Sequence, residues 1–301
     1  MSRRTSEIWT RKLLYPGHTL PTAIGPVMVG TALAWRDGAF AAVPAVLALV
    51  AGWLIQFAGV VADNYENLVR QPDDREHPEL VDAVRTGLIP LSTMKATMLA
   101  CYGGALAAGV VLVFLAGWPV VAIGVVSLAA SWVYSSGPWP IGRIGLADPL
   151  FFLFFGVVSV AGTYYVQAVS FSADAVALSL PIGALITNIL IIDDIRDRAF
   201  DADKGKRTIA VRFGVRWSRI EFLASLAAAY LLPFWFWRGR GLGVAVLLPL
   251  ATLPWAVAVL RHVWTHDRFA DLVPMTPRAA RLMLLYALLL SAGVAIGRLT
   301  P

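Results

Sequence analysis

The sequence has few charged residues. Asp, Glu, Lys and Arg make up 15% of its 301 positions, whereas a soluble globular domain usually contains about 25%. At the same time 58% of the residues are hydrophobic, which is more apolar surface than so few charges can shield from water. Lipid solvates apolar side chains that water does not. We therefore expect an integral membrane protein.

Cysteine is almost absent as well. Cys101 is the single cysteine and lies in an apolar run, which excludes an intramolecular disulfide. The basic N-terminal stretch shows no small-residue cleavage site, so we interpret it as a cytoplasmic lead-in and not as a signal peptide. The net charge of +6 comes from basic residues that flank apolar segments. Membrane orientation explains that pattern, and we expect no nucleic-acid partner.

Apolar segments long enough to cross a bilayer are frequent in this chain. A spanning helix needs about 20 mainly apolar residues. Candidate segments occupy residues 18–35, 40–62, 92–115, 118–135, 147–167, 176–194, 219–237, 241–260 and 280–298. The sequence therefore predicts an all-α, polytopic membrane protein of about nine transmembrane helices, forming a single domain over residues 1–301.

The distribution of Lys and Arg predicts the orientation of these helices. With the N-terminus inside, the cytoplasmic segments contain 21 of the 25 basic residues. The other side has only Arg36, Arg238, Arg240 and Arg298. Because cytoplasmic loops are enriched in Lys and Arg, we expect a multi-pass protein of the cell's inner (plasma) membrane. Its N-terminus and two long loops, at about 63–95 and 193–219, are predicted to be cytoplasmic.

The loop at 193–219 begins with closely spaced acids. Asp193, Asp197 and Asp201 lie four residues apart, so that on a continuing helix they share one face, and Asp194 lies beside them. Stacked carboxylates repel one another unless a cation lies between them, and hard oxygen ligands suit Mg²⁺, which usually also binds substrate phosphates. The basic residues that follow are Arg196, Arg198, Lys204, Lys206 and Arg207. Acids for a metal and bases for phosphate oxygens predict a diphosphate site.

A solvated loop of mixed charge is the alternative. It explains the basic residues by membrane orientation, but it does not explain acids that start at the very end of an apolar helix. The loop at 63–95 has a weaker second set of oxygen ligands, because Asn67 stands where a carboxylate would be more useful. Its polar residues are Asp63, Asn64, Asn67, Asp73 and Asp74. Facing the first set, they would hold another Mg²⁺ on the same diphosphate.

At these two loops the sequence resembles the UbiA superfamily of intramembrane prenyltransferases. Within it, the resemblance is strongest to the branch that acts on 1,4-dihydroxy-2-naphthoate in menaquinone biosynthesis. The resemblance covers most of the chain. The segments that carry it are HTLPTAIGPVMVGTALAW, YSSGPWPIGRIGLADPLFFLFFG followed by GTYYVQ, DDIRDRAFDADKGKRTIAVRFG, and LVPMTPRAARLMLLYALLLSAG.

The resemblance implies nine transmembrane helices around a central cavity. It further implies that two Asp-rich motifs bind Mg²⁺ and a polyprenyl diphosphate, whose ionisation gives an allylic cation. An aromatic acceptor captures that cation, and in the naphthoate branch the capture is coupled to loss of the acceptor's carboxylate. The implied partners are thus the polyprenyl diphosphate, the aromatic acceptor and the lipid bilayer.

Carried over position by position, the resemblance assigns roles to individual residues. The implied catalytic residues are Asp63 and Asp197. Diphosphate binding is assigned to Asn64, Asn67, Arg196, Lys206 and Arg207. Metal binding is assigned to Asp63, Asp73, Asp193, Asp194, Asp197 and Asp201. Aromatic side chains near these motifs are candidates for stabilising the cation, although each one taken singly fits an ordinary membrane-interface residue better: Tyr134, Trp139, Tyr164 and Tyr165.

Both motifs depart from the naphthoate branch. Its first motif usually reads N-x-x-N-D-Y-x-D, whereas residues 60–67 read VVADNYEN, and Asp193 and Asp194 stand where that branch usually has two Asn. These exchanges leave the acceptor open among dihydroxynaphthoate, 4-hydroxybenzoate, homogentisate and a lipid or tetrapyrrole alcohol. An inactive relative that acts as a scaffold also stays open. A transporter with an acid-lined ion path is disfavoured, since transporter sites lie near the bilayer midplane.

Overall fold

A computed structural model describes residues 19–70, 78–135 and 141–297 of the chain. Over these ranges every regular element is helical. The helices are α1 (Thr19–Arg36), α2 (Ala42–Arg70), α3 (Pro78–Arg85), α4 (Leu91–Ala116), α5 (Pro119–Ser135), α6 (Ala147–Ala168), α7 (Ala173–Arg196), α8 (Arg198–Asp203), α9 (Ile209–Arg212), α10 (Val215–Gly239), α11 (Val244–Thr265) and α12 (Met275–Ile296). The predicted all-α class is confirmed.

Seven helical segments in the described ranges are long and apolar enough to cross a membrane. They are α2, α4, α6, α7, α10, α11 and the stretch Phe269–Ile296 that includes α12. The two remaining predicted spans coincide with α1 and α5, which are only 18 and 17 residues long. The chain is therefore a polytopic membrane protein, while the number nine stays a prediction.

Helix α7 lies at the centre of the bundle. It packs against α1, α6, α10 and α12, and 83% of its most apolar stretch is buried inside the protein. A helix that is apolar on all sides is stable only when neighbours or lipid surround it. Most of its hydrophobic side chains, such as Ile182, Ile186 and Ile189, belong to the main hydrophobic core. The central position of α7 also places the acidic residues at its C-terminus in the middle of the bundle.

Helices α6 and α7 touch through their backbones. A Cβ atom added to Gly156 would lie 2.5 Å from the Cα atom of Gly183, and one added to Gly183 would lie 3.0 Å from the carbonyl oxygen of Phe152. Residues Phe152–Val158 of α6 form a π-helical turn at this crossing. Small residues let membrane helices approach closely enough for backbone packing, so this contact fixes the position of α6 on α7.

An ionic cluster joins three helix ends at one end of the bundle. Asp174, near the start of α7, accepts a hydrogen bond from Nε of Arg240 at 2.7 Å and lies 3.8 Å from a guanidinium nitrogen of Arg36. These residues mark the ends of α1 and α10. Because α2 and α7 run away from this cluster, their C-termini, which carry the two acidic motifs, lie at the opposite end of the bundle.

The first acidic motif is helical, which corrects the predicted loop boundary at residue 63. Helix α2 continues to Arg70, since Glu66 and Arg70 form an ion pair one turn apart at 3.4 Å and Asn64 donates a hydrogen bond to the Val60 carbonyl. Within the same predicted loop, α3 is a further short helix. Asp63, Asn64 and Asn67 of the first motif therefore lie on α2, in register with its transmembrane part.

We expect Gly156→Ala to destabilise the protein, because the added methyl group would overlap the backbone of α7. Overpacking of this kind costs about 1–3 kcal/mol. Thermal unfolding of the purified protein in detergent measures the effect as a lower Tm. Gly109→Ala in α4 is the matched control, since a Cβ there meets nothing within 4 Å. Equal Tm values for the two variants would contradict the close α6–α7 contact.

Candidate functional site

The last turns of α2 supply the first part of the site. The side-chain amide of Asn67 donates a hydrogen bond to Oδ2 of Asp63 at 3.2 Å, one helical turn away. This bond orients the Asp63 carboxylate without adding charge. Asn64 instead directs its amide nitrogen to the Val60 carbonyl of its own helix at 2.9 Å. Of the three polar residues, Asp63 and Asn67 therefore form a unit, and Asn64 faces its own backbone.

The C-terminus of α7 supplies an ionic cluster. The Arg196 guanidinium donates to Asp193 Oδ1 and to both oxygens of Asp197, and it also donates to the Thr276 hydroxyl of α12 at 3.0 Å. Thr276 in turn donates to Asp193. Arg196 thus balances two carboxylates of the second motif and ties them to α12, which leaves it less available for a diphosphate than the sequence suggests.

Asp194 and Asp201 belong to a second group. Helix α7 ends at Arg196 and α8 starts at Arg198, so the four-residue spacing does not keep Asp201 with the Arg196 cluster. Asp201 is only 2% exposed, and its Oδ1 lies 3.0 Å from Nζ of Lys206. Asp194 is also buried, and both Asp201 and Lys206 act on it electrostatically.

The two motifs meet at one polar pocket. Residues of the first motif and Lys206 of the second line it together with a tyrosine and further cations. The full lining is Asp63, Asn67, Arg70, Tyr134, Gly142, Arg143 and Lys206. The electrostatic fields of Asp63, Asp194 and Lys206 all act on Tyr134. The pocket therefore brings a carboxylate, cations and an aromatic ring from α2, α5, the α5–α6 connection and the α8–α9 connection into one space.

The connection between α5 and α6 is clamped onto the second motif. The backbone N–H of Arg207 donates to the Arg143 carbonyl at 2.8 Å. Gly145 has a φ of 85°, and a Cβ there would lie 2.4 Å from the Arg207 carbonyl oxygen. Glycine alone adopts such a conformation without strain and leaves room for that oxygen. The clamp places Arg143 beside Lys206 and leaves the side chain of Arg207 exposed.

Among the aromatic candidates, Tyr134 is the one that lines the pocket. Tyr164 donates to Asp37 at 2.9 Å, next to the Arg36 cluster at the opposite end of the bundle, and Tyr165 donates to the Ala116 carbonyl. The candidate Trp139 and the predicted metal ligand Asp73 lie outside the described residues. Their predicted roles stay predictions.

Sequence reasoning missed two acids near the site, the buried Asp148 of α6 and the partly buried Glu221 of α10. Asp148 is 5% exposed and acts electrostatically on both Tyr134 and Asp194, and it also acts on Glu221. Both lie inside segments that the sequence predicted as transmembrane. An ionisable residue inside such a segment by itself indicates a function. On that criterion the sequence alone could have identified Asp148 and Glu221 as candidates.

The donor set fits Mg²⁺ better than a softer metal. Asp63 lines the pocket, Asp201 pairs with the lining residue Lys206, and Asp194 acts electrostatically on the lining residue Tyr134. All three carboxylates are hard oxygen donors. In the described part of the chain no group of three or more acidic, His or Cys side chains forms a ready-made metal cluster. Hard oxygen donors suit Mg²⁺, which usually takes one or two carboxylates and completes its shell with water and substrate phosphates.

The chain is similar to known proteins over most of its length. Over 294 residues the chain is 33% identical to the 1,4-dihydroxy-2-naphthoate octaprenyltransferase of Mycobacterium tuberculosis, covering 94% of this chain and 95% of that protein. The Escherichia coli protein of the same name is 30% identical, with 92% of each covered. A UbiA homologue from Archaeoglobus fulgidus bound to DMAPP and Mg²⁺ has the same fold, with a TM-score of 0.62 at 17% identity, over 93% of this chain and 98% of that one. Residues 23–288 match the UbiA prenyltransferase family, and the chain belongs to that family.

Proposed function

We propose that this protein transfers a polyprenyl group from a polyprenyl diphosphate to 1,4-dihydroxy-2-naphthoate, with decarboxylation, in menaquinone biosynthesis. The observation that carries the proposal is the single pocket in which Asp63 and Asn67 of α2 meet Lys206 of the second motif. The names of the similar proteins support dihydroxynaphthoate as the acceptor. The whole chain, residues 1–301, acts as one membrane-embedded catalytic domain.

Binding of the diphosphate rests on cations that the fold already holds in place. Lys206 and Arg143 line the pocket. The backbone hydrogen bond between Arg207 and Arg143 holds together the two chain segments that carry these cations. Their charges attract the phosphate oxygens and oppose the charge that grows on the pyrophosphate as the carbon–oxygen bond breaks. Electrostatic groups arranged in advance stabilise such charge without reorganising. Of the other residues assigned to the diphosphate, Arg196 is engaged with two carboxylates and Asn64 with its own helix.

The carboxylates Asp63, Asp194 and Asp201 would hold Mg²⁺ together with the diphosphate. When bound, the metal neutralises charge on the leaving pyrophosphate. Asn67 keeps Asp63 oriented, and Lys206 keeps Asp201 in position. Asp193 and Asp197 stabilise the end of α7 through Arg196 in the structure, and they become ligands only if Arg196 releases them. Asp201 likewise exchanges its contact with Lys206 for the metal when Lys206 turns to the diphosphate.

Capture of the allylic cation takes place beside Tyr134. The cation is attracted by the face of an aromatic ring, which contributes about 0.5–2 kcal/mol. The acceptor's ring carbon that bears the carboxylate forms the new carbon–carbon bond, and its carboxylate leaves as CO₂, returning an electron pair to the ring. The pyrophosphate leaves with the electron pair of the broken carbon–oxygen bond. Charge is thereby conserved across the transfer.

The location that supports this chemistry is the cytoplasmic face of the inner membrane. The two motif-bearing segments, residues 63–95 and 193–219, contain 12 of the 25 Lys and Arg residues, and segments rich in these residues face the cytoplasm. Water-soluble Mg²⁺ and diphosphate head groups are available on that side. The acids lie at helix ends and not at the bilayer midplane, which favours an enzyme over a transporter.

The reaction predicts a specific product mass. We expect the purified protein, incubated with Mg²⁺, a polyprenyl diphosphate and dihydroxynaphthoate, to yield a product lighter by one CO₂ than the simple adduct. Mass spectrometry of the lipid extract measures this, and a chelator should abolish product formation. A product formed only with 4-hydroxybenzoate or homogentisate would show that dihydroxynaphthoate is not the acceptor. If no acceptor gave a product, the scaffold alternative would be favoured.

Two acids on the short helix α8 provide a matched test of the site. Asp201→Asn removes a buried carboxylate next to Lys206, whereas Asp203→Asn changes an exposed one two residues away. We expect the first variant to lower kcat/KM by about 100-fold or more, the size of effect seen when one group that stabilises developing charge is removed. The second should match wild type. Steady-state kinetics with pyrophosphate release as the readout compares them.

Labelling from outside the cell tests the orientation. In a Cys101→Ala background, a cysteine at Asp203 should react with a membrane-impermeant thiol reagent only after the cells are opened. A cysteine at Arg238, an exposed residue at the opposite end of the bundle, should react in intact cells. The reverse pattern would place the motifs outside.

A further inference from the structure

An apolar groove runs between α6, α7 and α10 on the lipid-facing side of the bundle. It contains about 820 Å³ of space, its open side included. Its walls are formed by Phe152, Leu180, Ala184, Ala228, Leu231, Leu232 and Trp235. A hydrophobic molecule dissolved in the bilayer can enter such a groove without crossing water.

The end of this groove nearest the motifs is polar. Asp148 precedes Phe152 by four residues in α6, Asn188 follows Ala184 by four in α7, and Glu221 precedes Ala228 by seven in α10. Residues at these spacings lie on the same face of a helix. Since α6 and α10 start and α7 ends at the motif end of the bundle, all three polar residues lie between the groove and the acidic motifs.

These polar residues have hydrogen-bonding atoms without partners. Asp148 Oδ1, Glu221 Oε2 and both amide atoms of Asn188 are buried and accept or donate no hydrogen bond. Asn188 is only 2% exposed. Buried polar atoms are almost always paired in folded proteins, and one left unpaired calls for an explanation. A ligand that brings hydroxyl groups to this place is such an explanation.

We propose that the groove admits the aromatic acceptor from the lipid, and that Asp148, Glu221 and Asn188 bind its ring hydroxyl groups. The inference rests on the proposed function for the identity of the acceptor. The carboxylate oxygens accept hydrogen bonds from the two hydroxyls, and the fused apolar rings lie in the groove. The two acids repel the acceptor's carboxylate, whereas Arg143, whose buried Nη2 has no partner, attracts it. Since Asp148 acts on both Tyr134 and Asp194, the bound ring lies next to the diphosphate pocket.

Kinetics with two substrates tests the proposal. In the full-length protein, Ala228→Phe fills the groove, and Glu221→Gln weakens one hydroxyl acceptor. We expect each to raise the KM for the acceptor about tenfold, the first by blocking the groove and the second by the loss of a charged hydrogen bond. The KM for the prenyl diphosphate should stay unchanged. Ala227→Phe is the matched control, because this neighbouring residue is exposed and does not line the groove. An unchanged acceptor KM in both variants, or an equal rise in both KM values, overturns the proposal.

A binding measurement separates failure of the groove from failure of the proposed reaction. Equilibrium dialysis compares 1,4-dihydroxynaphthalene with 1,4-dimethoxynaphthalene, which cannot donate hydrogen bonds. We expect the diol to bind wild type more tightly than the dimethoxy compound and to lose that advantage in Glu221→Gln and Asp148→Asn. Retained affinity for the prenyl diphosphate in the same preparations shows that the variants are folded. Equal binding of the two compounds to wild type rejects the groove even if prenylation is observed, whereas absent prenylation with preferential diol binding rejects only the acceptor reaction.

Discussion

Repulsion among carboxylates at the edge of the hydrocarbon layer is the constraint on which this structure depends. The chain gathers acids from α2, α6, α7 and α8 at one end of the bundle and has to offset their mutual repulsion. It does so with separate cations. Arg196 binds Asp193 and Asp197, and Lys206 binds Asp201. Asp63 and Asp194 act instead on the ring of Tyr134, where a substrate-bound metal ion would complete the balance.

Much of this arrangement can be predicted from the sequence. Acids at the end of an apolar helix carry an energetic cost, and their presence therefore indicates a function. That argument selected Asp63, Asp194 and Asp201 as site candidates, whose roles stay predictions, and hydropathy predicted the all-α bundle, which is confirmed. It did not find how the second motif divides. The division depends on α7 ending at Arg196, and helix ends are set by local side-chain contacts such as that of Arg196 with Thr276, which sequence spacing does not reveal. The length of α2 was missed for a related reason, since Glu66 and Arg70 extend the helix beyond its apolar segment.

The helices that carry the acids also form the lipid-facing groove. Along α6, Asp148 is followed one turn later by Phe152, and along α7 the apolar Ala184 leads towards Asp194. Each helix thus changes from apolar to acidic along its length, in the direction from the bilayer interior to its surface. A polyprenyl diphosphate needs such a gradient, because its charged head group and its hydrophobic chain prefer different environments.

The backbone contact between Gly156 and Gly183 is the point at which α6 and α7 cross. Asp148 lies eight residues from Gly156 and Asp194 lies eleven residues from Gly183. At 1.5 Å per residue these separations are roughly 12 Å and 16 Å along the helices. A change of about 5° in the crossing angle would therefore move Asp148 by about 1 Å relative to α7. The width of the acidic site is thus set in the middle of the membrane, by two residues that have no side chain at all.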